Sequence, residues 1–154
     1  MDKNILSEYA DMKEEIKDLR RRIAEDQKKI RKLERTVVAD SVTCGKKGKK
    51  PIRTVKIKGF PREEIKRRTA LLKKRQAKLE MLETELIEKQ LQVEEYIQTI
   101  DKSELRIMFR LYYIDSLTWY QVALKMNQMF PKRRIKYTED NCKQRHKRYL
   151  EKVA

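Results

Sequence analysis

The chain has 154 residues, 42% of them charged and 39% hydrophobic, with 40 Lys and Arg against 24 Asp and Glu and a formal net charge of +16. Only three glycines and three prolines interrupt it, a balance that suits long solvated helices better than a thick globular core. The charge would attract any polyanion, whether DNA, RNA or an anionic membrane surface. No apolar run approaches the ~20 residues of a membrane span and no signal-peptide block is seen, so a cytoplasmic protein without a membrane span is expected.

Residues 5–37 carry a heptad. Ile5, Tyr9, Met12, Ile16, Leu19, Ile23, Ile30, Leu33 and Val37 follow 4-3 spacing, which predicts a helix with one seam that another helix must cover. Asp26 fills the one polar slot and reads as a charge tolerated near solvent, with a register-setting role as the alternative.

Residues 41–62 are unlike their flanks. All three glycines (Gly45, Gly48, Gly59) and Pro51 and Pro61 fall here, and residues 41–44 and 52–58 read as two short strands around a Gly-Lys-Lys-Gly-Lys-Lys turn. The stretch holds a charge of +8, against +1 for residues 1–40 and 0 for residues 63–100. Lys46, Lys47, Lys49, Lys50, Arg53, Lys56 and Lys58 form a basic tip that suits nucleic acid or an acidic protein. The alternative is a solvated turn whose lysines keep the strand edges from pairing with other chains.

A second helix is predicted from about residue 61 to 100. Ile65, Leu72, Leu79, Leu86, Val93 and Ile100 recur every seven residues, while Leu82 and Tyr96 share the companion column with Arg68, Arg75 and Lys89. Two such seams of similar length around a reversing tip predict an antiparallel pair. The weak companion column leaves room for a homo-oligomer.

The C-terminal stretch carries a charge of +7 and two helix-start signals. Thr118 with Gln121 is a capping box, and Trp119, Val122 and Ala123 then share one face. Trp119 is expected in the core against Phe109 or Leu111. Thr138 caps a second helix whose apolar face is Cys142, Tyr149, Leu150 and Val153. Glu139, Asp140, Lys143, Gln144 and Lys147 project from the other side and are the candidates for DNA base contact, Gln being a natural match for adenine. Lys132, Arg133, Arg134, Lys136 and Arg148 are the candidates for phosphates, which position without specifying.

Nothing here reads as an enzyme. No Gly-rich phosphate loop, paired carboxylates or Ser/His/Asp arrangement is recognisable, so neither cofactor nor metal is expected. His146 reads as a partly buried helix residue and Cys142 as a small core residue. Cys44 and Cys142 lie in different predicted elements, against a disulfide framework or a zinc site.

From Leu105 onward the chain resembles region 4 of bacterial sigma-70 factors and the related phage late-gene activators. The matching pieces are Leu105-Arg106-Ile107-Met108-Phe109-Arg110-Leu111-Tyr112-Tyr113, Leu117-Thr118-Trp119-Tyr120-Gln121-Val122-Ala123, and residues 138–150. The layout is also similar to that of small Gram-positive phage and prophage proteins, which join a helical hairpin with an Asp-Ser-Val tip, here Asp40-Ser41-Val42, to such a module. The resemblance implies promoter contacts at Glu139, Asp140, Lys143 and Gln144, and host RNA polymerase as a second partner. Two departures point away from an ordinary promoter element: residues 127–136 are an insertion, and Glu139 and Arg145 stand where the family has a basic and an apolar residue.

The expected fold is therefore mainly α. Residues 1–100 form a long antiparallel helical hairpin, a coiled coil with a small basic β-hairpin tip at 41–60, and residues 101–154 a helix-turn-helix module. The expected function is sequence-specific binding of double-stranded DNA by a phage or prophage transcriptional regulator. The rivals are a DNA-packaging oligomer of the small-terminase kind and a structural coiled-coil adaptor.

Overall fold

The computed structural model describes residues 4–44, 48 and 53–153, and for residues 38, 40–44 and 53–55 the backbone alone. The described chain is mainly helical. In order it forms α1 (Asn4–Glu34), β1 (Val38–Cys44), β2 (Arg53–Gly59), α2 (Arg62–Gln98), α3 (Ser103–Phe109) running into a π-helical turn (Arg110–Ile114), α4 (Trp119–Met129) and α5 (Glu139–Lys152). No helix among the described residues is long and apolar enough to cross a membrane. The chain divides into two compact units, Ile16–Met81 and Met1–Glu15 with Leu82–Ala154, and both long helices contribute to each.

Within the unit Ile16–Met81, β1 and β2 pair antiparallel with Val38 opposite Gly59 and Cys44 opposite Arg53. The first helix stops sooner than the heptad suggests. Its last turn tightens as the Arg35 and Thr36 amides bond back three residues, and the Thr36 hydroxyl donates to the Lys32 carbonyl at 2.8 Å. Val37 therefore leaves the seam and is 55% exposed, because the β-branched Val37-Val38 pair leads into the strand. At the return, the Pro61 carbonyl accepts the first bond of α2 from the Ile65 amide at 3.0 Å, and Glu63 and Glu64 complement the positive end of the helix.

Ile16, Leu19, Ile23 and Ile30 of α1 are buried in this unit. So is Asp26, at 6% exposure, which corrects the expectation of a solvated charge. Its carboxylate accepts a hydrogen bond from Arg75, one of the basic residues that weaken the companion column of α2. Each helix places its polar exception opposite the other's.

The second unit is built on a core of Leu6, Tyr9, Val93, Tyr96, Ile97, Ile100, Phe109 and Tyr113, with Tyr149 and Leu150 packed against it. The start of α1 and the end of α2 thus share one core with α3 and α5, and the expected division at residue 100 falls inside this unit. An adjoining core of Met108, Leu111, Val122, Ala123, Met126, Tyr137 and Cys142 joins α3, α4 and α5. Glu8 and Lys89 pair across α1 and α2 at its surface.

Candidate nucleic-acid interface

Both predicted caps are present. The Thr118 hydroxyl accepts from the Gln121 amide at 3.4 Å while the Gln121 side chain accepts from the Thr118 amide at 3.0 Å. Thr138 accepts from the Asn141 amide at 3.3 Å and starts α5. Val122, Ala123 and Met126 bury one face of α4, and Cys142 is the fully buried contact from α5. Burial pushes the Cys142 thiol above its ordinary pKa, so it stays protonated near neutral pH.

Trp119 is half-buried and packs, as expected, against the core that holds Leu111. It also stacks on Tyr112, ring centroids 4.0 Å apart and planes at 15°, a contact that the spacing does not predict. The π-helical turn adds a residue to the register after Phe109, which turns Tyr112 toward α4. His146 lies against the same cluster, 5.0 Å from Trp119 and 4.8 Å from Phe109, with Nε2 at 2.9 Å from the Tyr113 hydroxyl. Burial holds its imidazole down at about pKa 4 and raises the Tyr113 phenol. At neutral pH the cluster is uncharged.

The outer face of α5 carries the base-contact candidates. Glu139, Asp140, Lys143, Gln144 and Lys147 are all exposed. Lys143 donates to Glu139 at 2.6 Å, the main cause of its raised pKa, and Lys147 lies 3.8 Å from Glu151. Surface pairs of this kind contribute little and exchange readily for another anion. Gln144 makes no side-chain bond among the described residues, so its amide is free to donate and accept.

The phosphate candidates divide. Lys132 and Arg134 are exposed on the loop before α5, and Arg148 is exposed on the flank of α5. Lys136 is turned back onto the Pro131 carbonyl at 2.9 Å. Arg133 is paired with Glu104 and lies over the Phe130 ring. Of the basic tip, Lys56 and Lys58 are exposed, Arg53 is described by its backbone alone, and Lys46, Lys47, Lys49 and Lys50 lie outside the described residues.

Residues with no local sequence signal hold this loop. Asn127 makes a two-way bridge to Tyr137, accepting from its amide at 2.7 Å and donating to its carbonyl at 2.8 Å. Asn141 donates to the Lys136 carbonyl at 3.0 Å. Glu104, at the start of α3, accepts from the Tyr137 hydroxyl at 2.8 Å and from Arg145 at 3.4 Å, besides its pair with Arg133. Arg145 also lies over the Tyr137 ring. The second half of the connection between α4 and α5 is therefore fastened to α3, α4 and α5.

Among the described residues, no group of three or more His, Cys, Asp or Glu side chains is arranged to hold a metal ion. The chain matches no protein-family model, no curated protein and no solved structure.

Proposed function

We propose that the protein is a sequence-specific binder of double-stranded DNA, a transcriptional regulator of the phage or prophage kind. In this reading α4 and α5 are a helix-turn-helix, and α5 lies in the major groove with Lys143, Gln144 and Lys147 toward base edges. Lys132, Arg134 and Arg148 bind phosphates on either side. The long helices form an antiparallel coiled-coil hairpin that carries the basic strands as a second polyanion contact. Host RNA polymerase is a further partner on this reading.

One observation carries the proposal. The exposed face of α5 presents two lysines and an unengaged glutamine, beside a basic loop whose backbone is held by Asn127 and Asn141 and whose Arg133 and Tyr137 side chains are held by Glu104. A preorganised polar face of that kind binds without first ordering itself. Selection from a random duplex library tests it: one recurring motif is expected, and recovery of unrelated sequences at equal affinity overturns it.

A second reading, an oligomeric packaging or scaffold component, draws on the outer side of α2. Ile87 and Leu91 are 64% and 59% exposed there, four residues apart on one face. Light scattering separates the two: a ring-sized oligomer favours packaging, a monomer or dimer favours regulation.

A further inference from the structure

Beside α5, within the unit that contains α3 to α5, lies an open cavity of about 790 Å³. Arg145, Arg148 and Lys152 recur along α5 at spacings of three and four and share one flank, which forms one wall. Lys102 and Arg133 reach in from the other sides, and Leu105, Tyr149 and Val153 supply an apolar floor. The volume lies within the ~300–1,000 Å³ of small-molecule sites, but the lining is unusually charged: seven of its ten residues are ionic, five of them basic.

Charge decides what fits. Two carboxylates, Asp101 and Glu104, also line the cavity. Glu104 is engaged by Tyr137, Arg133 and Arg145. Lys102, Arg148 and Lys152 have no ion pair or side-chain hydrogen bond among the described residues. Three cations around a concavity repel one another, and a multivalent anion relieves that repulsion while a neutral or cationic ligand does not. Arginine forks match the geometry of phosphate oxygens, and the tyrosine edge and aliphatic floor suit a flat organic group.

We propose that this cavity binds a phosphate ester of nucleotide size, its phosphates on Arg148 and Lys152 and its base over Leu105 and Tyr149. The site uses neither Lys143 nor Gln144 but shares Arg148 with the DNA reading, so duplex affinity is measured beside ADP binding.

The test is calorimetric titration of the full chain with ADP, adenosine and inorganic phosphate at fixed salt. ADP is expected to bind at least about tenfold more tightly than either fragment, because only ADP fills both floor and rim. Arg148→Gln with Lys152→Gln should weaken ADP by about tenfold or more, since charge-assisted bonds are lost. The charge-matched pair Lys28→Gln with Lys32→Gln, on exposed residues of α1, should leave it unchanged. Both Arg148 and Lys152 are exposed, so the first variant is expected to keep its fold, checked by circular dichroism. Equal weakening by the two variants would mean diffuse attraction to a basic surface and overturns the proposal. No ADP binding at millimolar concentration overturns it as well. If ADP fails to bind while Arg148→Gln with Lys152→Gln loses duplex DNA affinity, these side chains are backbone contacts and only the DNA reading survives.

Discussion

Asp26 of α1 and Arg75 of α2 form an ion pair in which the carboxylate is almost wholly buried and the guanidinium is 27% exposed. Burying a charge is costly unless it is paired, so each residue fixes where the other must sit. Sliding one helix by a turn along the other would strand the carboxylate among Ile23 and Ile30.

Breaking this pair from one side should destabilise. Loss of one partner of a fully buried pair costs about 3–5 kcal/mol, and the partial hydration of Arg75 reduces the expectation for Asp26→Ala to roughly 1–3 kcal/mol. Replacing both residues by Leu should recover most of that loss, while the single variants do not. A double-mutant cycle by chemical denaturation reads the coupling directly, and additive effects would show that the pair is not coupled.

The direction of the helices has its own test. Cysteines introduced by Leu33→Cys and Leu72→Cys, with Cys44→Ser and Cys142→Ala to remove the natural thiols, should crosslink within one chain. Crosslinks found solely between chains would replace the proposed hairpin by an intermolecular coiled coil.

The loop before α5 depends on Glu104. Glu104→Ala removes three partners at once, leaves the Tyr137 hydroxyl unpaired and sets Arg133 and Arg145 loose. A lost buried hydrogen bond costs about 1–3 kcal/mol. Hydrogen exchange of residues 130–137 should accelerate while α1 keeps its protection. Tyr137→Phe should reproduce part of the effect, and unchanged exchange in both variants would contradict the assignment.

Acid should loosen the aromatic cluster. The His146 imidazole is held near pKa 4 in the folded chain against its usual 6.5, so the unfolded chain binds the extra proton first. Stability from this group is present above about pH 6.5 and is lost as pH falls toward 4, by on the order of 2–3 kcal/mol at most. Trp119 is the sole tryptophan and lies 5.0 Å from the imidazole, so its fluorescence reports the change. His146→Gln should flatten the pH dependence of unfolding between pH 4 and 6.5. An unaltered slope would place the acid sensitivity elsewhere.

Local signals were legible in the sequence, and long-range ones were not. The caps at Thr118 and Thr138 and the buried faces at Val122, Ala123 and Cys142 follow from spacing within one or two turns. The mostly helical character and the paired strands follow from periodicity and from the glycine-rich turn. By contrast, Glu104 meets residues 33 and 41 positions away, and nothing in its neighbourhood marks it. Arg145 likewise reaches Glu104 and the Tyr137 ring, contacts that no nearby sequence signal marks. The core position of Trp119 follows from its spacing, but its stack on Tyr112 does not, because a π-helical turn leaves no clear sequence mark. Asp26 and Arg75 were each visible as exceptions, but only the fold pairs them.

The proposed recognition by α5 is tested most directly by comparing two classes of variant on one selected duplex and on a scrambled one, across a range of salt. Lys143→Ala and Gln144→Ala should cost about 1–3 kcal/mol on the selected duplex for each lost base contact and little on the scrambled one. Lys132→Ala and Arg134→Ala should weaken both duplexes alike and lower the salt slope by about 1 each. If all four variants lose selected and scrambled binding equally, α5 does not read sequence and the account fails.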